Sequence, residues 1–129
     1  MKETIIRQNI DAEFYISENC YIIELYNTPE DPNISIARAR VKPGNTTRLH
    51  RLIGTSERYY IISGKGRLEI GTLQPREVNP GDIAVIPAMC SQRISNIGSE
   101  DLIFLCICAP RFTKDIYEDI ENTDPKKNK

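Results

Sequence analysis

Along most of this chain apolar residues come in short runs that alternate with polar ones, without the three-and-four spacing of an amphipathic helix. The segment SIARARV shows the pattern, with Ala37, Ala39 and Val41 at alternate positions and Arg38 and Arg40 between them. Successive side chains of a strand point to opposite faces, so the small apolar set turns inward and the arginines turn to solvent or, less simply, to a partner subunit. Runs of this kind, separated by TPEDPN, KPGN, SGKG, NPGD and NIGSED, predict strands near 20–26, 34–41, 47–52, 58–62, 66–70, 83–86, 91–96 and 102–108. Eight short strands in an all-β chain suit a jelly roll, two sheets closed on one core.

The period changes over 113–121. Ile116 and Ile120 lie four apart, acidic Asp115, Glu118 and Asp119 surround them, and Thr113 is placed to cap the start, which predicts one short C-terminal helix. Beyond it NTDPKKNK carries a proline and three lysines but no apolar residue, so a disordered polar tail is expected over 122–129. The organisation expected is one domain over 1–121, without internal repeats.

With 129 residues the chain is long enough to bury a single core. Eighteen acidic and seventeen basic side chains leave a formal charge of -1, which argues against a nucleic-acid partner or an acidic membrane surface. No apolar run approaches the ~20 residues of a membrane helix, and MKETIIRQNI lacks a secretory apolar stretch, so a cytoplasmic protein is expected. Cys20, Cys90, Cys106 and Cys108 make no paired C-x-x-C signature, which excludes a structural zinc site of that type. Cys106 and Cys108 share one strand face and read as reduced, buried thiols.

The candidate chemistry lies in the middle of the chain. Residues 44–64 read GNTTRLHRLIGTSERYYIISG and place Gly44, His50, Glu57 and Gly64 at the spacing G-x5-H-x-H-x4-E-x6-G, with Leu52 in the second histidine slot. Strand alternation sends Arg48, His50 and Leu52 one way and gives Glu57, Tyr59 and Ile61 a common face, so a hairpin can bring His50 and Glu57 together. Ser56, Ser63 and Ser91 sit in no G-x-S-x-G elbow, which argues against nucleophilic hydrolysis.

This stretch resembles the first conserved motif of the cupin superfamily. Residues 80–96, PGDIAVIPAMCSQRISN, resemble the second, G-x5-P-x-G-x2-H-x3-N, with Gly81, Pro87 and Asn96 matching, Met89 in place of the inner glycine and Gln92 in place of the histidine. The two motifs span 44–96, and HRLIGTSERYYI, QRISN and LCICAPRF resemble a group of small bacterial single-domain cupins. The resemblance implies a double-stranded β-helix barrel and, in most members, one divalent metal held by three imidazoles and a carboxylate. Carried to this chain it leaves His50, Glu57 and Gln92 as metal candidates for Mn, Fe, Ni or Zn, a donor set reduced by an alkyl group at 52 and an amide at 92.

Three readings of the site follow. The leading one is a pocket that binds a small polar metabolite through His50, Glu57, Tyr59 and Gln92, with Arg48 available for a ligand carboxylate or phosphate. The alternative is a metal-dependent isomerase, lyase or oxygenase acting on a small sugar or organic acid, or an acid–base pair of His50 and Glu57 without metal. The third has His50 and Glu57 satisfying one another in the interior. Arg93 and Arg111 fall in segments that share the resemblance, and loop fixing explains them equally well. The exposed edges of a jelly roll, and the pairing of similar small cupins through N-terminal strands, lead to the expectation of a homodimer.

Overall fold

A computed structural model describes residues 1–123. Its strands are β1 (Phe14–Ile16), β2 (Cys20–Tyr26), β3 (Ser35–Val41), β4 (His50–Leu52), β5 (Ser56–Ser63), β6 (Gly66–Ile70), β7 (Arg76–Val78), β8 (Ile83–Ile86), β9 (Gln92–Asn96), β10 (Leu102–Ala109) and β11 (Tyr117–Asp119). They form two antiparallel sheets, of order β1-β2-β3-β10-β5-β8 and β11-β4-β9-β6-β7, closed face to face as a double-stranded β-helix. No helix among the described residues is long and apolar enough to cross a membrane.

The alternation read from the sequence decides what the barrel contains. Across β3, β10 and β5 the paired inward residues run Val41–Leu102, Ala39–Phe104–Ile61, Ala37–Cys106–Tyr59 and Ser35–Cys108–Glu57. Large residues fill the first two rows, where they join Leu68, Val78, Ile86 and Ile94 in one buried cluster. The last two rows pair serine, alanine and cysteine with Tyr59 and Glu57. Small side chains cannot reach across a gap of about 10 Å between sheets, so one end of the barrel is packed and the other stays hollow.

Turns hold the packed end in register. The side-chain amide of Asn96 donates to the carbonyls of Val41 and Glu100, 2.8 Å each, and its oxygen accepts from the Gly98 amide at 2.9 Å. The motif asparagine is therefore a buried brace. Met89, in the slot where the motif carries glycine, has φ of 69°, so the left-handed turn is kept without the residue that adopts it most easily.

Three strands were not expected: β1, β7 and β11, each only three residues long. The expected strand over 47–52 is regular only at His50–Leu52, because 46 and 47 are tied to β9 by a single bridge, Thr46 to Ser95, and by Thr47 side-chain bonds. The predicted short C-terminal helix is corrected. Lys114–Ile116 and Glu121–Thr123 are single 3-10 turns flanking β11, and Thr113 does not cap a backbone amide with its side chain. Pairing of Tyr117, Glu118 and Asp119 with Leu52, Arg51 and His50 satisfies the backbone that a lone helical turn would leave open. Of the expected tail, 124–129 lie outside the described residues.

Arg38 and Arg40 lie on the outer face, as the alternation requires, but they do not simply face water. Glu13 bonds to Arg40 at 2.6 Å and to Arg38 at 3.4 Å, and Asp101 holds Arg40 at 3.0 Å. Arg93 pairs with Glu69 at 2.7 Å, and Arg111 donates to the side-chain oxygen of Asn27 at 2.9 Å, so both fix loops and sheet faces.

Candidate functional site

The hollow end of the barrel is a cavity of about 270 Å³. Its wall is mainly apolar, with Phe14, Ile16, Ile22, Ala37, Ala39, Leu52, Phe104 and Phe112 contributing, and exposed Phe14, Ser17 and Lys114 mark its mouth. Its polar groups converge from different strands: Glu18 from the β1–β2 turn, His50 from β4, Glu57 and Tyr59 from β5, and Tyr117 from β11.

His50 is buried and held on three sides. The carbonyl of Arg48 lies 2.8 Å from Nδ1, which makes Nδ1 the protonated nitrogen and turns Nε2 inward. Glu18 Oε1 stands 3.7 Å from Nε2, and the Tyr117 ring stacks on the imidazole with centroids 5.0 Å apart. Glu18 reaches this place because its own carbonyl accepts from the Arg48 amide at 3.2 Å, while Asn19, in a left-handed conformation, anchors the turn to the Thr46 carbonyl at 3.2 Å.

Glu57 lies on the inner face of β5, 7 % exposed. Its Oε2 accepts a long bond from the Cys108 thiol at 3.5 Å, whereas Oε1 has no partner. Burial pushes its carboxyl up to about 7, opposed by the neighbouring Gln92 amide and by the Cys108 and Cys106 thiols. The amide favours the ionised form by proximity, yet no donor reaches Oε1 with hydrogen-bond geometry. Burial also raises the carboxyl of Glu18; the charge of Glu57 adds to the shift, and His50 and the Tyr117 hydroxyl oppose it. The Tyr117 hydroxyl is buried and forms no bond of good geometry itself.

Of the residues singled out from the sequence, His50, Glu57 and Tyr59 line the cavity. Gln92 sits just behind the wall, 1 % exposed, where its oxygen accepts from the Tyr59 hydroxyl. Arg48 is not part of the lining. Its guanidinium is taken by Asp119, 2.5 Å from Nε, on the rim of the β4–β11 pair. Glu18 and Tyr117 were not legible as site residues. Glu18 lies in an ordinary turn sequence, ISEN, and Tyr117 lies in the segment read as a helix, so neither stands in a motif that names a role.

The donor set does not fit the divalent metal that the sequence left open. Gln92 spends its oxygen on Tyr59, position 52 offers only an alkyl chain, and one imidazole with one carboxylate makes no closed shell. Among the described residues no group of three or more His, Cys, Asp or Glu side chains is placed to hold a metal ion. Cys20, Cys106 and Cys108 also line the wall as free thiols, and burial is the largest cause pushing each of them up, so they are poor nucleophiles.

Comparison with known proteins agrees with this architecture. Residues 37–108 match the Cupin_2 family model, described as a cupin domain. The chain is 34% identical over 87 residues to the uncharacterized protein MJ1618 of Methanocaldococcus jannaschii, covering 67% of this chain and 69% of that protein. It is 33% identical over 104 residues to the oxalate decarboxylase OxdC of Bacillus subtilis, covering 78% of this chain but only 26% of that much longer enzyme. The crystal structure of a predicted oxalate decarboxylase from Thermotoga maritima superposes with a TM-score of 0.75 at 23% identity, over 83% of this chain and 99% of that one, a likeness of fold. With the family model spanning more than half of its length and the two sheets closed in that family's manner, this chain belongs to the cupin family.

Proposed function

We propose that this cupin binds a small molecule in the hollow end of its barrel, with an apolar body against Leu52, Ile22 and Phe104 and a polar head at Glu18, His50, Glu57 and Tyr117. One observation carries the reading: the cavity wall holds a buried carboxylate oxygen without a hydrogen-bond donor, Glu57 Oε1, and a buried Tyr117 hydroxyl whose interaction with Glu18 falls short of good geometry. An unpartnered buried polar group costs about 1–3 kcal/mol, so a pocket that keeps such an oxygen is arranged for a guest that completes its bonds. A sensory or accessory role fits such a site. The metal-dependent isomerase, lyase or oxygenase alternative is less well supported, because His50, Glu57 and Gln92 do not make its ligand shell.

Ala37 faces the cavity from β3, and Ala37→Phe places a ring in it. Ligands found by thermal-shift and ligand-observed NMR screening should bind this variant at least about tenfold more weakly, while its melting stays cooperative. Unchanged affinity for every ligand places binding elsewhere.

We further infer a homodimer. β8 is an edge strand, and on the outer face it shares with β5 the side chains of Tyr60, Ile62, Ile83 and Val85 are between 42% and 64% exposed. A second copy related by a two-fold axis covers this face and the open edge together. Sedimentation at micromolar concentration should find a dimer, and Ile83→Lys with Val85→Lys should give a folded monomer; a monomeric parent protein rejects the inference.

A further inference from the structure

We infer that the polar head of the guest is a cation, an ammonium group carried on an apolar body. This rests on the reading that the barrel holds a small molecule, and it assigns that molecule's chemical class.

The charges of the cavity point one way. Glu18 and Glu57 line its inner part, while Glu24 and the lysine of its wall, Lys114, are both exposed to solvent. The arginine that would receive a carboxylate or phosphate, Arg48, is engaged by Asp119 outside the lining. An anionic head at the polar end would meet Glu18 and Glu57 together, in a region where charges are weakly screened.

The unfilled valences agree with the charges. Glu57 is more than nine-tenths buried on the inner face of β5, and its Oε1 lacks a donor. An ammonium group offers three donors and no acceptor, which complements a carboxylate oxygen that has nothing to accept, and it favours the ionised state of both glutamates that burial opposes. The ring pair Tyr59 and Phe104, with centroids 4.5 Å apart, adds an aromatic wall whose faces attract cations. Glutamate side chains satisfied inside a polar network would leave no such valence.

Three probes of similar shape separate the possibilities: benzylamine, benzyl alcohol and benzoate, titrated calorimetrically into the full-length protein at pH 7.5. Benzylamine should bind about tenfold or more tightly than benzyl alcohol, with benzoate the weakest. Glu57→Gln and Glu18→Gln should each weaken benzylamine by about tenfold and leave benzyl alcohol within about twofold, a loss of charge recognition without loss of the pocket. Equal or tighter binding of the alcohol or of benzoate overturns the cationic assignment and leaves the pocket reading standing, as does benzylamine affinity unchanged in both variants. Failure of all three probes to bind the folded protein overturns the pocket reading and the inference with it.

Discussion

Glu57→Gln should stabilise the protein by on the order of 2–3 kcal/mol at pH 8 and by little at pH 4.5. Burial shifts the Glu57 carboxyl from its ordinary value of 4.5 to about 7 in the folded protein. Between these values the unfolded chain has released the proton and the folded chain still holds it. Stability therefore falls as pH rises through this window, and the whole penalty is present above pH 7. Glutamine keeps the shape and removes the ionisation, so the gain over the parent should grow from pH 4.5 to pH 8. Urea denaturation at the two pH values measures it, and a gain of equal size at both means that Glu57 ionises like an exposed glutamate.

The second large effect is on the scaffold. Gly64→Ala should cost about 3 kcal/mol or more and lower the melting temperature steeply. Gly64 has φ of +89°, and an added Cβ would lie 2.6 Å from the Asp101 carbonyl oxygen and 2.8 Å from Leu102 Cα, at the point where β5 ends and β10 begins. Both neighbours are backbone and cannot swing aside. Gly81 has nearly the same backbone, φ of +92°, but open space around its Cβ position. Gly81→Ala should therefore cost only the left-handed penalty of about 1 kcal/mol. Equal losses in the two variants would show that φ alone, and not the close approach of Asp101, makes Gly64 necessary.

Much of the barrel was legible because strand structure has a short period. The runs at 20–26, 66–70 and 83–86 coincide with β2, β6 and β8, and the alternation in SIARARV and LIFLCIC correctly separated inward from outward residues. Arg48 shows where the same rule stops. Two residues before His50, it should share the inward face, but the regular strand starts at His50, and Asp119 from a remote segment takes its guanidinium. The short C-terminal helix failed for a related reason: Ile116 and Ile120 fit a helical period, yet the partner available at the edge of β4 favoured strand pairing over an isolated helical turn.

By itself, then, the chain's order of residues determined the all-β architecture and the presence of His50, Glu57 and Tyr59 on inner faces, because each follows from side chains two apart and from turns at glycine and proline. Only closure of the two sheets decided the membership of the site. It brought Glu18 from a turn 32 residues before His50 and Tyr117 from 67 residues after it, drew Gln92 behind Tyr59, and left Arg48 at the rim. Those positions depend on which distant strands hydrogen-bond to one another, and no local periodicity carries that information.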